Sequence, residues 1–314
     1  MPIQPSSSAL PSRWGTIQKM KNTLIYFSLR TLAFILKHTP WLCLKLLARL
    51  LAPMAYYIAR KETQTALENL EIAFPERPLS ERRKIVRAMY DHLAISAMEI
   101  IQIEKFVATD NGLSLQPEQE QLFREALAQN KGVVAVTGHI GNWELLAQFL
   151  VQQGIPMVTI ARPTYDPRIT KWLDQVRSQY GLEVIWRGEN TVSREMIRTF
   201  RSNKILALLM DQDTRVQSIF SPFFGKPAST PSAAAALALR FDAPIIFGWN
   251  HRTPTGHKFY FEKIIPPEIE DKEAAKQQLI DRLNQKLEDA IRQQPEQWVW
   301  LHKRWKTRPE NTQE

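Results

Sequence analysis

From about residue 132 onward, short, mostly apolar runs take turns with stretches in which apolar positions recur every three or four residues. The runs cover 132–138, 157–161, 182–186, 205–210, 244–249 and 259–265. Runs this short and this apolar, of which 132–138 is the clearest, predict strands buried on both faces. Helical stretches at 143–153, 169–180, 193–202 and 231–241 separate most of them, and a long charged helix over 272–293 follows. Strand–helix alternation of this kind predicts an α/β domain with a mostly parallel central sheet flanked by helices.

The pattern ahead of the strands is different. Residues 62–106 read as helical with a break at Pro75-Glu76-Arg77-Pro78, and 117–129 as one more helix with a polar face. Residues 1–12 are rich in Ser and Pro and predict disorder. Two apolar helices follow, over 23–36 and 41–59, with Thr39 placed to cap and Pro40 to begin the second. Lys45 and Arg49 share one face of that helix, while Leu42, Leu46, Leu50 and Met54 line another. Such a helix suits a membrane interface, the alternative being an ordinary amphipathic helix packed on the domain. The charges interrupt any run of about 20 apolar residues that a span wants.

Charge divides the chain at the same place. Nine of the 41 Lys and Arg residues, and none of the 32 acids, lie in 1–61, so the other 253 residues balance at 32 of each. The net charge of +9 therefore sits in an arm that is apolar as well as basic. That combination fits an anionic lipid surface rather than nucleic acid. Two units follow: a membrane-anchoring segment, 1–61, and an α/β catalytic domain, 62–314. The one cysteine, Cys43, excludes a disulfide framework, and its apolar surroundings read as burial. No Cys/His spacing resembles a metal site.

The first strand runs directly into Gly138-His139-Ile140-Gly141-Asn142-Trp143-Glu144. Active groups of α/β sheets gather at strand carboxyl ends. His139 stands there as a general base, since its ordinary pKa lies near neutrality. Asn142 is a good helix N-cap and puts Glu144 in the first turn, from which it is expected to fold back onto the second ring nitrogen of His139. A structural histidine is the alternative reading. Asp211 and Asp213 alternate at a later strand end, without enough neighbours for a metal; no metal is expected. Ser229 or Thr230 reads as the cap of a helix begun by Pro231, with Lys226 beside it, an arrangement suited to a phosphate or an acyl thioester or simply a good cap. Trp298, Trp300 and Trp305 among Lys303, Arg304, Lys306 and Arg308 read as an interfacial aromatic and basic patch. The other histidines read as structural or surface residues, His302 least securely.

Gly138–Glu144 resembles the H-x-x-x-x-D/E motif of the lipid A biosynthesis late acyltransferases. Asn69-Leu-Glu-Ile-Ala-Phe-Pro75, Arg162-Pro163 with Asp166-Pro167, Asp211-Gln212-Asp213, Phe223–Thr230 and the Trp-x-Trp-x-His-Lys-Arg tail resemble further elements in order. Asp166 stands where that family has Asn. The resemblance spans about residues 20–306. It implies transfer of a fatty acyl chain from acyl carrier protein, or acyl-CoA, to a hydroxyl of a lipid A precursor, without a cofactor. It also implies residence at the cytoplasmic face of the inner membrane. By position, His139 is the base and Glu144 its partner, with Arg162, Arg177 and Asp211 at the site. An esterase, an acyltransferase for another membrane glycolipid or phospholipid, and a non-enzymatic membrane-binding module remain open.

Overall fold

The computed structural model describes residues 13–108, 115–188 and 191–309; the expectation of disorder at 1–12 falls outside them. Six helices precede the first strand: α1 (Arg13–His38), α2 (Trp41–Ile58), α3 (Arg60–Ala73), α4 (Leu79–Ile101), α5 (Ile103–Ala108) and α6 (Pro117–Ala128). Then come β1 (Val133–Thr137), α7 (Trp143–Gln152), β2 (Met157–Ala161), α8 (Pro167–Ser178), β3 (Glu183–Trp186), α9 (Val192–Arg201) and β4 (Ile205–Leu209). A hairpin of β5 (Ser218–Phe223) and β6 (Lys226–Pro231) leads to α10 (Ala233–Phe241). The chain continues as β7 (Ile245–Thr253), β8 (Gly256–Ile264) and α11 (Lys272–Gln293).

The main sheet has the order β3-β2-β4-β1-β7-β8. Its first five strands run parallel, and β8 pairs antiparallel to β7. The inner strands β1 and β4 and the start of β7 are almost uniformly apolar because successive residues enter two different cores. Val134, Val136, Leu206, Ile245 and Phe247 face one core, with Leu283 and Leu287 of α11. Val133, Ile205, Ala207 and Ile246 face the other, with Phe123 of α6 and Leu145 and Phe149 of α7. The expected α/β architecture is therefore present. The β5–β6 hairpin occupies the stretch expected to be a capped helix start.

α2 turns Leu44, Ala48 and Ala52 inward, and the first two pack with Met98 of α4. Leu42, Leu46, Leu50 and Met54 on its other side are 65%, 52%, 67% and 54% exposed, so the helix shows an apolar strip outward. It is also the one helix among the described residues long and apolar enough to cross a membrane, by length and composition. Two local expectations fail. Thr39 does not cap α2: its hydroxyl donates backward to the Ile35 carbonyl at 2.8 Å, closing the last turn of α1. Cys43 is exposed, because position 43 lies off the inward Leu44/Ala48/Ala52 stripe.

Candidate active site

His139 begins where β1 ends, and its neighbour comes from the adjacent parallel strand. The register Thr137↔Leu209, continued by the Met210 amide on the Thr137 carbonyl at 3.2 Å, brings Asp211 level with His139. One Asp211 oxygen accepts from the His139 backbone amide at 2.6 Å; the other lies 2.8 Å from Nδ1. The indole Nε1–H of Trp298 donates to the Asp211 carboxylate at 2.7 Å, and His302 Nε2 donates to the Asp211 carbonyl at 2.9 Å. Asp211 is fully buried. Burial alone raises a carboxyl pKa, but His139 with its hydrogen bonds, and His302, overcome that and hold Asp211 far below its ordinary range. For His139 the balance runs the other way. Burial disfavours the imidazolium, while the charge and hydrogen bond of Asp211, and Glu144 farther off, outweigh it and raise the pKa. With Nδ1 committed to Asp211, Nε2 carries the lone pair. It faces the cavity, 3.4 Å from the Gln212 side-chain amide.

The turn below His139 is fixed from beneath. Gly141 has φ +60, and a Cβ there would sit 1.9 Å from the Asn250 carbonyl oxygen, so no other residue fits. Asn142 caps α7 as expected, accepting from the Leu145 amide at 3.1 Å. Its Nδ2 donates to buried Glu99 at 2.8 Å, and Glu99 also binds Arg252 and, at 3.1 Å, His257. His92 Nε2 donates to the Gly141 carbonyl at 3.0 Å, and burial, aided by Arg252, pushes its pKa down to about 3. His92 and His257 are thus structural, as the sequence suggests.

Glu144 is not on the imidazole. From the first turn of α7 its carboxylate meets Arg177 of α8, which donates through Nε at 3.1 Å and Nη2 at 2.5 Å. The ring nitrogen expected to hold Glu144 is already taken by Asp211. Trp143 instead packs against His139, ring centres 4.8 Å apart at 69°.

A cavity of about 1070 Å³ opens on this corner. Its inner part passes between the sheet and α7, past Leu146, Leu150, Met157 and Ile246 to Phe123 and Phe261. Its mouth carries Arg162 and Arg177, together with Gln212, with Lys306, which the sequence placed in an interfacial patch, and with Arg187 and Arg215, which sequence reasoning did not select. Lys226 and Thr230 lie outside the lining. Pairing of β5 with β6 puts Lys226 beside the hairpin turn, exposed. Thr230 is buried, where its hydroxyl accepts from Arg304 at 2.7 Å and Asn284 at 3.1 Å.

The tail patch is divided: Lys303, Lys306 and Arg308 are exposed and Trp305 is half-buried, but the other three members are not at the surface. Trp298, Trp300 and Arg304 have no exposure, and Arg304 also donates to the Ser229 carbonyl at 2.6 Å. The tail forms a strap instead: the Gly141 amide donates to Gln297 at 2.8 Å, and the Val299 amide donates to His139 at 3.1 Å. Aromatic residues without a regular period gave the sequence no sign of this. Among the described residues no group of three potential metal ligands exists.

A family profile described as bacterial lipid A biosynthesis acyltransferase matches residues 16–307. The chain is 28% identical to the lipid A biosynthesis lauroyltransferase of Escherichia coli (strain K12), over 83% of this chain and 84% of that protein. It is 25% identical to the lipid A biosynthesis palmitoleoyltransferase of the same organism, over 86% and 87%. A phosphatidylinositol mannoside acyltransferase of Mycobacterium tuberculosis (strain CDC 1551 / Oshkosh) is 26% identical over 57% of this chain and 56% of its own. With the match running almost the length of the chain, the protein belongs to the bacterial lipid A biosynthesis acyltransferases and is an acyltransferase.

Proposed function

We propose that this acyltransferase moves a fatty acyl chain from an acyl carrier protein thioester, or acyl-CoA, to a hydroxyl of a lipid A precursor, with His139 as general base. One observation carries the reading: the His139–Asp211 pair stands where an apolar cavity meets a cationic mouth. The hydrocarbon chain lies against Leu146, Leu150, Met157 and Phe261, which leaves the thioester carbonyl at His139. The acceptor oxygen attacks the carbonyl carbon while Nε2 takes its proton. Asp211 fixes the tautomer and stabilises the imidazolium. The tetrahedral oxyanion collapses, the C–S bond breaks, and the leaving thiolate takes the proton back from His139. The products are an ester and a free thiol, so neither oxidant nor cofactor enters.

The first amides of α7, at Trp143 and Glu144, have no intrahelical acceptor and suit the oxyanion. Glu144 contributes through Arg177, holding its guanidinium in the cavity wall. α1 and α2 rest on the cytoplasmic face of the inner membrane, with the exposed strip of α2 among the acyl chains and the basic residues at anionic headgroups.

The test is purified protein with an acyl carrier thioester and a lipid A precursor, the products followed by mass spectrometry. His139→Ala is expected to lower transfer at least about 10²–10⁴-fold while circular dichroism stays that of the parent. Transfer at the parental rate would overturn the assignment. A product on phosphatidylinositol mannoside, and none on the lipid A precursor, would favour the other acceptor class found among the relatives.

A further inference from the structure

The mouth of the cavity collects charges that its own chain leaves unsatisfied. Arg162 is the first residue after β2 and Arg187 the first after β3. Those strand ends are register partners, Ala161↔Trp186, and the Arg187 amide donates to the Ala161 carbonyl at 2.8 Å. The two arginines therefore leave adjacent strands side by side, about 4.8 Å apart at the backbone. Arg215 reaches the same mouth from the loop after β4, and Lys306 reaches it from the tail. The Thr307 amide donates to Asp213 at 2.8 Å and ties that tail to that loop.

Both acids lining the mouth already have partners. Glu144 is held by Arg177 through two hydrogen bonds, and Asp213 by the Thr307 amide. Among the described residues none of the four remaining cations, Arg162, Arg187, Arg215 and Lys306, has a side-chain hydrogen bond or ion pair. Other cations of the protein do have acidic partners, as at Arg252–Glu99, Lys286–Glu262 and Lys204–Glu183. Four unpaired cations, three of them forked guanidiniums, around the entrance to a reactive histidine form a receptor for a phosphate ester.

We propose that Arg162, Arg187, Arg215 and Lys306 form a phosphate-binding subsite that holds a phosphate ester of a substrate while its reacting atom lies at His139. This rests on the acyl-transfer reading and adds to it the chemical group by which a substrate is held. Two substrates carry such a group: the phosphorylated sugar of the acceptor, and the pantetheine arm of the donor. The apolar cavity takes the acyl chain from the inner side, so both arrive through the mouth.

The experiment compares each substrate with its phosphate-free counterpart. The acceptor is offered as the phosphorylated glycolipid and after phosphatase treatment; the donor is offered as acyl-CoA and as acyl-pantetheine. Rates are measured for the parent and for Arg162→Gln, Arg187→Gln, Arg215→Gln and Lys306→Gln. Detergent-micelle binding of the same compounds to His139→Ala, with and without each rim substitution, gives a readout independent of turnover.

The parent is expected to prefer one phosphorylated substrate by at least about tenfold in kcat/KM, through KM. That preference is expected to collapse in the Gln variants and return in part in Arg162→Lys. Loss confined to the acceptor pair assigns the phosphate to the glycolipid, and loss confined to the donor pair assigns it to the pantetheine arm. A phosphate preference that survives all four substitutions, or a parent with none in rate or binding, would overturn the subsite. Absence of any acyl transfer would instead count against the activity, and the binding arm would still decide on the subsite.

Discussion

His139 and Asp211 are held by partners drawn from widely separated stretches of chain, whereas α2 leaves Leu42, Leu46, Leu50 and Met54 facing outward. The corner is polar and buried, so each group needs a hydrogen bond, and the chain supplies β1, the end of β4 and the Trp298 strap. The arm is apolar and exposed among the described residues, a surface suited to an apolar partner. The difference teaches where each part is vulnerable. Single polar atoms decide the corner, while the summed apolar area decides the arm.

The sharpest way to probe the corner is to compare its two carboxylates. Asp211→Asn removes the charge that orients His139 and supports its imidazolium, and is expected to lower kcat by about 10³–10⁴-fold. Glu144→Gln keeps a hydrogen-bond acceptor for Arg177 and is expected to cost only about 10–100-fold. Steady-state kinetics on the same donor and acceptor rank them. A larger loss at Glu144 would return it to the role that its spacing from His139 suggests.

A smaller effect is expected one bond farther out. Trp298→Phe keeps the ring in the core but removes the N–H that stabilises the Asp211 carboxylate. A more basic Asp211 favours the imidazolium, which raises the His139 pKa further. The base is active only when neutral, so the acid limb of the pH–kcat/KM profile is expected to move to higher pH, with kcat down about tenfold. In the parent that limb is expected on the alkaline side of the ordinary histidine range, because Asp211 outweighs burial and raises His139. A profile in Trp298→Phe that superimposes on the parent would show that the indole only fills space.

The arm is expected to respond least in chemistry and most in partition. Leu42→Ser, Leu46→Ser and Leu50→Ser together are expected to weaken binding to anionic vesicles at least about tenfold, read by co-sedimentation. Turnover of detergent-dispersed substrate is expected to change far less. Equal losses in both would mean that the arm and the corner are not separable.

The same contrast separates what the sequence revealed from what it hid. Strands such as Ile205–Leu209 were legible because burial on both faces leaves an unbroken apolar run. The Lys272–Gln293 helix was legible because its period is local. Glu144 was assigned to His139 because five residues along one turn is a local spacing too. Asp211 lies 72 residues from His139 and reaches it only through the β1–β4 register. Its signal was present: like His139, it is a polar residue ending an apolar run. The tail was misread because tryptophans beside lysine and arginine look the same at a lipid surface and in a strap that buries them. Lys226 and Thr230 were misread because a hairpin and a helix cap use the same Ser, Thr, Pro and Gly residues.

The strap also sets a time order. Trp298 follows Asp211 by 87 residues, and at synthesis rates of 5–20 residues per second the ribosome needs roughly 4–17 s to make that stretch. Throughout that interval His139 and Asp211 have been synthesised, while the indole that completes their corner has not. The hydrogen-bonded corner around Asp211 is therefore closed late in synthesis, by a residue far along the chain from both members of the pair.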